Sequence, residues 1–252
     1  MAAPIALQLY SLREALAKDY EGVVRKVADI GYVGVEPAGF PGTTPQAAAK
    51  LFKELGLDVC SAHSAMPVGE KKQEVLDTMR TLGCKRIVSG FGPDQYKTLD
   101  LIKVSCEKFN EAGAAAKANG LQFGIHNHWW EFQQVEGKYV YQEMLKHLSL
   151  DVFFELDTYW VRTGGCDPAA VVKELGPRAP LLHIKDGPCA KGMHMTAVGE
   201  GIVNFPAIVR NAGTNAEWMI VELDSCASDM LEAVVKSYAY LVKNWLAHGK
   251  KS

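Results

Sequence analysis

Short apolar runs alternate with longer stretches of helical periodicity along the chain. The runs predict strands at Ile5–Leu9, Val33–Glu36, Asp58–Ala62, Arg86–Ser89, Leu121–His126, Val152–Asp157, Leu181–Lys185 and Trp218–Glu222. Most are nearly continuous in apolar residues, as parallel strands covered on both faces must be. Between them, Tyr20–Ile30 puts Val23, Val24, Val27 and Ile30 on one stripe and its charged residues largely elsewhere, the mark of an amphipathic helix. Pro45–Leu55 and Ser105–Asn119 read as helices closed by Gly56 and Gly120, where a left-handed C-cap belongs. Asp167 before Pro168 reads as an N-cap with proline in the first turn, and Ser228–Leu246 as the last helix.

Eight strand–helix alternations in 252 residues predict one α/β domain over residues 1–252, a single (β/α)8 TIM barrel. No G-x-G-x-x-G follows the first strand, which argues against a dinucleotide-binding open sheet. No linker-like segment divides the chain, and the tail Lys250-Lys251-Ser252 is expected to be disordered.

Charge narrows the function. Lys and Arg number 27 against 29 Asp and Glu, a formal net charge of -2, without the basic excess of a nucleic-acid or membrane-surface binder. No apolar run reaches the ~18 residues of a spanning helix, and Met1–Ile5 lacks a basic leader. The six cysteines form no C-x-x-C pair and read as reduced structural thiols. A cytoplasmic protein is expected, with no nucleic-acid or membrane partner.

In a barrel, chemistry belongs at the C-terminal ends of strands. Here those ends carry Glu36, His63, His126-Asn127-His128, Asp157, His183 with Lys185, and Glu222. A cap or a core hydrogen bond explains each residue singly. Together they would place unpaired polar groups around one axis, and a cation is the natural counter-charge. Histidine and carboxylate donors without a thiolate cluster suit one divalent metal ion: Mn, Zn, Mg or Co. FGIHNHWWEF, residues 123–132, is the densest chemical segment. Alternation aims His126 and His128 to one side, Glu131 follows in the loop, and the aromatics offer an apolar wall for a sugar ring.

LQLYSLRE, GYVGVE, HNHWWEF, ELDTYW, GGCDP, HIKD, GEGIVNF and VELD, in that order along essentially the whole chain, resemble the xylose isomerase-like barrels of the sugar phosphate isomerase/epimerase family. That family includes relatives of tagatose epimerase, hydroxypyruvate isomerase and the inosose isomerases and dehydratases. The resemblance implies one divalent cation held by Asp157, His183 and Glu222. The family's remaining glutamate ligand falls on His126 here, and Glu131 is the other candidate for that place. Two metal-bound glutamates exchange substrate protons in the epimerases, so the substitution passes that role to His126, His128, Glu131 or Lys185, and Glu131 and Glu222 are the leading candidates for the base. Glu36, His63, Trp129 and Trp160 are the expected substrate contacts, with Lys185 alternatively pairing Asp186. The Gly199-Glu200-Gly201 segment reads as a mobile turn over the mouth.

The expected activity is isomerisation or epimerisation of a sugar, cyclitol or keto-sugar by proton removal beside a carbonyl. Dehydratase or lyase chemistry, hydrolysis by metal-bound water, and a non-catalytic sugar-binding barrel are the alternatives. Endonuclease IV is also a relative. Its larger ligand set needs a histidine where Trp160 stands, and the neutral charge offers little to a DNA backbone. A homo-oligomer is compatible with the family, and the substrate need not be phosphorylated.

Overall fold

A computed structural model describes residues 2–251. Its strands are β1 (Ile5–Gln8), β2 (Gly34–Glu36), β3 (Asp58–Val59), β4 (Ala62–His63), β5 (Arg86–Ser89), β6 (Gln122–His126), β7 (Gln134–Val135), β8 (Lys138–Tyr139), β9 (Val152–Asp157), β10 (Leu181–Ile184) and β11 (Trp218–Val221). Only β7 and β8 stand apart, as a small antiparallel hairpin. The others form one sheet in the order β3-β2-β1-β11-β10-β9-β6-β5-β4, and every pairing in it is parallel. The two end strands, β3 and β4, are consecutive pieces of one segment. The sheet ends therefore meet across Cys60 and Ser61, and the ring all but closes as a TIM barrel. The sequence predicts one strand here; the break falls where Ser61 turns its hydroxyl onto Glu36.

The helices are α1 (Arg13–Leu16), α2 (Tyr20–Ile30), α3 (Pro45–Glu54), α4 (Lys72–Leu82), α5 (Leu99–Lys117), α6 (Val140–His147), α7 (Thr158–Thr163), α8 (Pro168–Leu175), α9 (Phe205–Ala212) and α10 (Met230–Lys243). The expected cap of α8 is present, with the Asp167 carboxylate accepting from the Ala169 N–H. Helix α5 starts at Leu99 rather than Ser105, because the Thr98 hydroxyl caps the N–H of Leu101. None of the described helices is long and apolar enough to cross a membrane.

Alternation along each strand sorts the side chains into two sets. Ile5, Leu7, Val152, Phe154, Leu156, Leu182, Ile184, Met219 and Val221 belong to the large core that joins barrel and helices. Ala6, Cys60, Val88, Phe153, Leu181 and Ile220 form a separate cluster inside the barrel. Phe153 fits there because β6 carries Gly124 opposite it; a Cβ at that glycine would lie 2.2 Å from the phenyl ring. Continuing toward the C-terminal ends, the inward positions become Gln8, His126, Glu155, Asp157, His183, Lys185 and Glu222, all buried.

The C-terminal tail departs from the expected disorder. Lys250 donates its backbone N–H to the Gly31 carbonyl at 2.8 Å, and Tyr238 donates its hydroxyl to the Lys251 carbonyl at 2.6 Å. Ser252 lies outside the described residues.

Candidate metal centre

Register brings the mouth residues together. Across parallel pairs, His126 lies beside Glu155, Asp157 beside His183, and Gln8 beside Glu36. His126, Asp157, His183 and Glu222 each offer one donor atom, and these atoms all lie within 4.8 Å of one another. The Nδ1 of His183 is 2.8 Å from Glu222 Oε2, and the Nε2 of His126 is 3.9 Å from Asp157 Oδ2. That Asp157 oxygen is buried and makes no hydrogen bond, although the Lys185 ammonium lies 3.0 Å away as an ion pair. The other Asp157 oxygen caps α7 by accepting from the Trp160 N–H. Asn127 anchors the backbone of the same residue, its side-chain oxygen accepting the Asp157 N–H at 2.9 Å. Two buried imidazoles and two buried carboxylates whose donor atoms converge fit a divalent cation, which would join the Lys185 ammonium in balancing the two negative charges.

Lys185 is fully buried, with its Nζ 2.6 Å from Glu222 and 2.8 Å from Asp224 as well as beside Asp157. It does not pair with Asp186, the alternative suggested by sequence. Asp186 instead accepts the backbone N–H groups of Gly187, Gly199, Gly201 and Val203. The glycines of the expected mobile turn are thus pinned to a buried carboxylate, while the Glu200 side chain points to Lys236 at 3.5 Å.

Beneath the four donors lies a second polar layer. Glu36 Oε1 accepts from Gln8 at 2.9 Å and lies 2.8 Å from His183 Nε2. Glu155 Oε2 lies 2.5 Å from His63 Nε2 and 3.1 Å from both His126 Nδ1 and His183 Nε2. His63, His126, Glu155 and His183 make a second convergent donor group, sharing two rings with the first.

Burial dominates the titration of this region, and neighbours decide where it is overturned. Burial, with Glu155 close by, raises the Glu36 carboxyl to about 7. Burial likewise raises Asp157 to about 6 against the pull of Lys185. Glu222 meets the same desolvation, but Lys185 and His183 hold it well below the usual carboxylate range. Desolvation opposes charge on Lys185, yet Asp157, Glu222 and Asp224 keep its ammonium well above the ordinary value. His128, desolvated and facing Lys185, falls to about 4.

A cavity of about 610 Å³ opens over this centre. Its walls include Tyr10, His63, Phe91, His128, Trp130 and Glu222. The expected contacts are therefore distributed unevenly. His63 and His128 reach the cavity, whereas Glu36 sits behind Gln8. Trp129 lies under Lys191, whose Nζ is 3.3 Å from the ring centroid, and Trp160 lies 5.4 Å from the Lys185 Nζ. Trp130, stacked on His128 at 4.2 Å, is the tryptophan of that loop that lines the cavity. Glu131 is buried outside the donor group, its Oε2 accepting the His128 N–H at 2.8 Å. Sequence reasoning missed Glu155, Gln8 and Asp224. For Glu155 the signal was available: a charged residue inside the apolar strand VFFELD.

Residues 24–241 match the model of the xylose isomerase-like TIM barrel family. No curated protein sequence matches the chain. Two solved structures, each a sugar phosphate isomerase/epimerase from Parabacteroides distasonis, are similar throughout. One is 29% identical, covering 96% of this chain and 94% of its own, with a TM-score of 0.79. The other is 28% identical, covering 96% and 98%, with a TM-score of 0.83. The IolI protein, crystallised with a zinc atom bound, shares the fold at 14% identity over 97% of this chain and 100% of its own, with a TM-score of 0.73. Eight-fold strand–helix alternation, a polar mouth and a match over most of the sequence agree: the chain belongs to the xylose isomerase-like TIM barrel family.

Proposed function

We propose that this protein is a divalent-metal-dependent isomerase or epimerase of a small sugar-like substrate, working as a single barrel domain. The observation that carries this reading is the convergence of donor atoms from His126, Asp157, His183 and Glu222, all within 4.8 Å of one another beneath an open cavity. Those four residues would hold the cation, which when bound would supply Lewis acidity to a substrate carbonyl. Glu222 lines the cavity and the Lys185 ammonium beside it keeps it ionised, so it is the group placed to remove the proton beside the carbonyl. His128 also faces the cavity, where burial and Lys185 keep it a neutral imidazole, able to hydrogen-bond a substrate oxygen as the second polar group beside the reacting carbon. Lys185 keeps the mouth carboxylates charged and separated. Glu131 acts indirectly, holding the His128 backbone in place. Tyr10, Phe91 and Trp130 present apolar faces to the C–H side of a ring, and His63 meets its hydroxyls. Six unpaired cysteines suit a reducing compartment such as the cytoplasm.

The test joins metal content to proton exchange. The purified protein should hold about one divalent cation per chain, lost in Asp157→Asn and His183→Ala. Incubation with ketoses, inososes and 3-keto sugars in D2O should place deuterium on the carbon next to the carbonyl. An elimination product would redirect the reading to dehydratase or lyase chemistry. A native protein that takes up no metal from Mn or Zn would end it.

A further inference from the structure

Each imidazole of the proposed metal set has two nitrogens, and only one faces the mouth. His183 turns Nδ1 toward Glu222 at 2.8 Å and Nε2 inward, 2.8 Å from Glu36 and 3.1 Å from Glu155. His126 turns Nε2 toward Asp157 and Nδ1 inward, 3.1 Å from Glu155. The inward nitrogen of His126 thus bonds Glu155 Oε2, which also meets Nε2 of His63 at 2.5 Å, and the inward nitrogen of His183 bonds Glu36 with the Glu155 oxygen close by.

A neutral imidazole carries one N–H, and the nitrogen that binds a cation must be bare. An ionised carboxylate only accepts. It therefore draws each N–H to the inward side and leaves the lone pair at the mouth. We propose that Glu155 is a positioning residue of the metal centre: it accepts the inward N–H of His126, as the neighbouring Glu36 accepts that of His183, and so holds the rings in the tautomers able to bind the cation. This rests on the metal-dependent reading above. The second donor group, His63, His126, Glu155 and His183, offers a competing arrangement with a cation lower in the barrel. That arrangement needs the inward nitrogens bare, and the same two rings cannot serve both sides without losing both protons. The outward set offers two carboxylates, Asp157 and Glu222, against one in the inward set, so the cation belongs there and Glu155 serves as acceptor.

Two measurements on the full-length protein test the proposal. In the zinc-loaded native chain, 15N NMR of the histidines should show protons on Nδ1 of His126 and Nε2 of His183. Glu155→Gln presents an amide that can donate toward the rings. It should weaken zinc binding by about 10–100-fold in chelator competition, and change the visible spectrum of the Co(II) form. Glu155→Asp should recover part of both, and circular dichroism should report the native fold. His63→Gln should still bind about one cation per chain. Bare inward nitrogens in the native spectrum would overturn the proposal, whatever the variants do. So would native affinity and spectrum in Glu155→Gln, or two cations per native chain of which His63→Gln removes one. A native protein that binds no cation would fail earlier, together with the functional reading.

Discussion

The two ends of the barrel interior are built from opposite materials on the same strands. On β9 the inward residues run Phe153, Glu155, Asp157; along β10 and just past its end, Leu181, His183, Lys185; along β11 and just past its end, Ile220, Glu222. At the N-terminal end these side chains bury apolar surface, which stabilises the fold without any partner. At the C-terminal end they bury carboxylates, each of which loses hydration and must be compensated by Lys185, a histidine or a cation. The same period of two thus serves both ends. One end is self-sufficient, and the other is complete only when its charges are balanced.

The strongest challenge to this contrast is Lys185→Met. It removes the ammonium that lies 3.0 Å from Asp157 and 2.6 Å from Glu222. In chelator, the variant should lose about 3–5 kcal/mol, the usual cost of leaving a buried ion unpaired. Zinc or manganese should then raise its melting temperature more than that of the native protein, because the cation neutralises the same oxygens. Equal gains in both proteins would mean that the ammonium and the cation do not share this work. The matching change at the floor is Phe153→Ala, with a cavity cost of about 3–5 kcal/mol by urea denaturation. Metal stoichiometry and affinity should stay native in this variant. Loss of metal would show that the two ends are not separable.

A smaller effect comes from Glu131. Burial raises its carboxyl to about 8, so the folded chain holds a proton that the unfolded chain releases. The sign follows from linkage: this contribution is fully present below about pH 4.5 and fades as pH rises through about 8. Glu131→Gln should flatten the decline of stability between about pH 5 and pH 8, by at most about 1.4 kcal/mol per pH unit. Urea midpoints at three pH values, measured in chelator, read this directly. Metal binding should survive the substitution; its loss would make Glu131 a ligand.

Much of this architecture is visible in the sequence, for a physical reason. Parallel strands buried on both faces leave continuous apolar runs, and their polar C-terminal residues stand out against them. Asp157, His183 and Glu222 are legible that way. Glu155 is harder to read because it sits inside a run, and its partners His63, His126 and His183 come from three other strands. Only register shows that they meet. The choice between Trp129 and Trp130 is also invisible to alternation, since the short helical turn at 130–132 decides which ring faces the cavity. The start of α5 was hidden for a local reason: Leu99–Val104 carries its cap at Thr98, ahead of the apolar stripe that marks the rest.

The anchoring of the loop after β10 has a consequence for how such a barrel can change over generations. Asp186 grips Gly187 at one side of the loop and Gly199, Gly201 and Val203 at the other. The peptide between those grips leaves and returns to the same carboxylate. Lengthening it costs little in closure entropy, roughly 0.6 kcal/mol for each doubling, and leaves Lys185 where it is. Residues 188–194, ahead of the buried Met195, Ala197 and Val198, are therefore a place where insertions can reshape what enters the mouth while the charged centre beneath keeps its geometry.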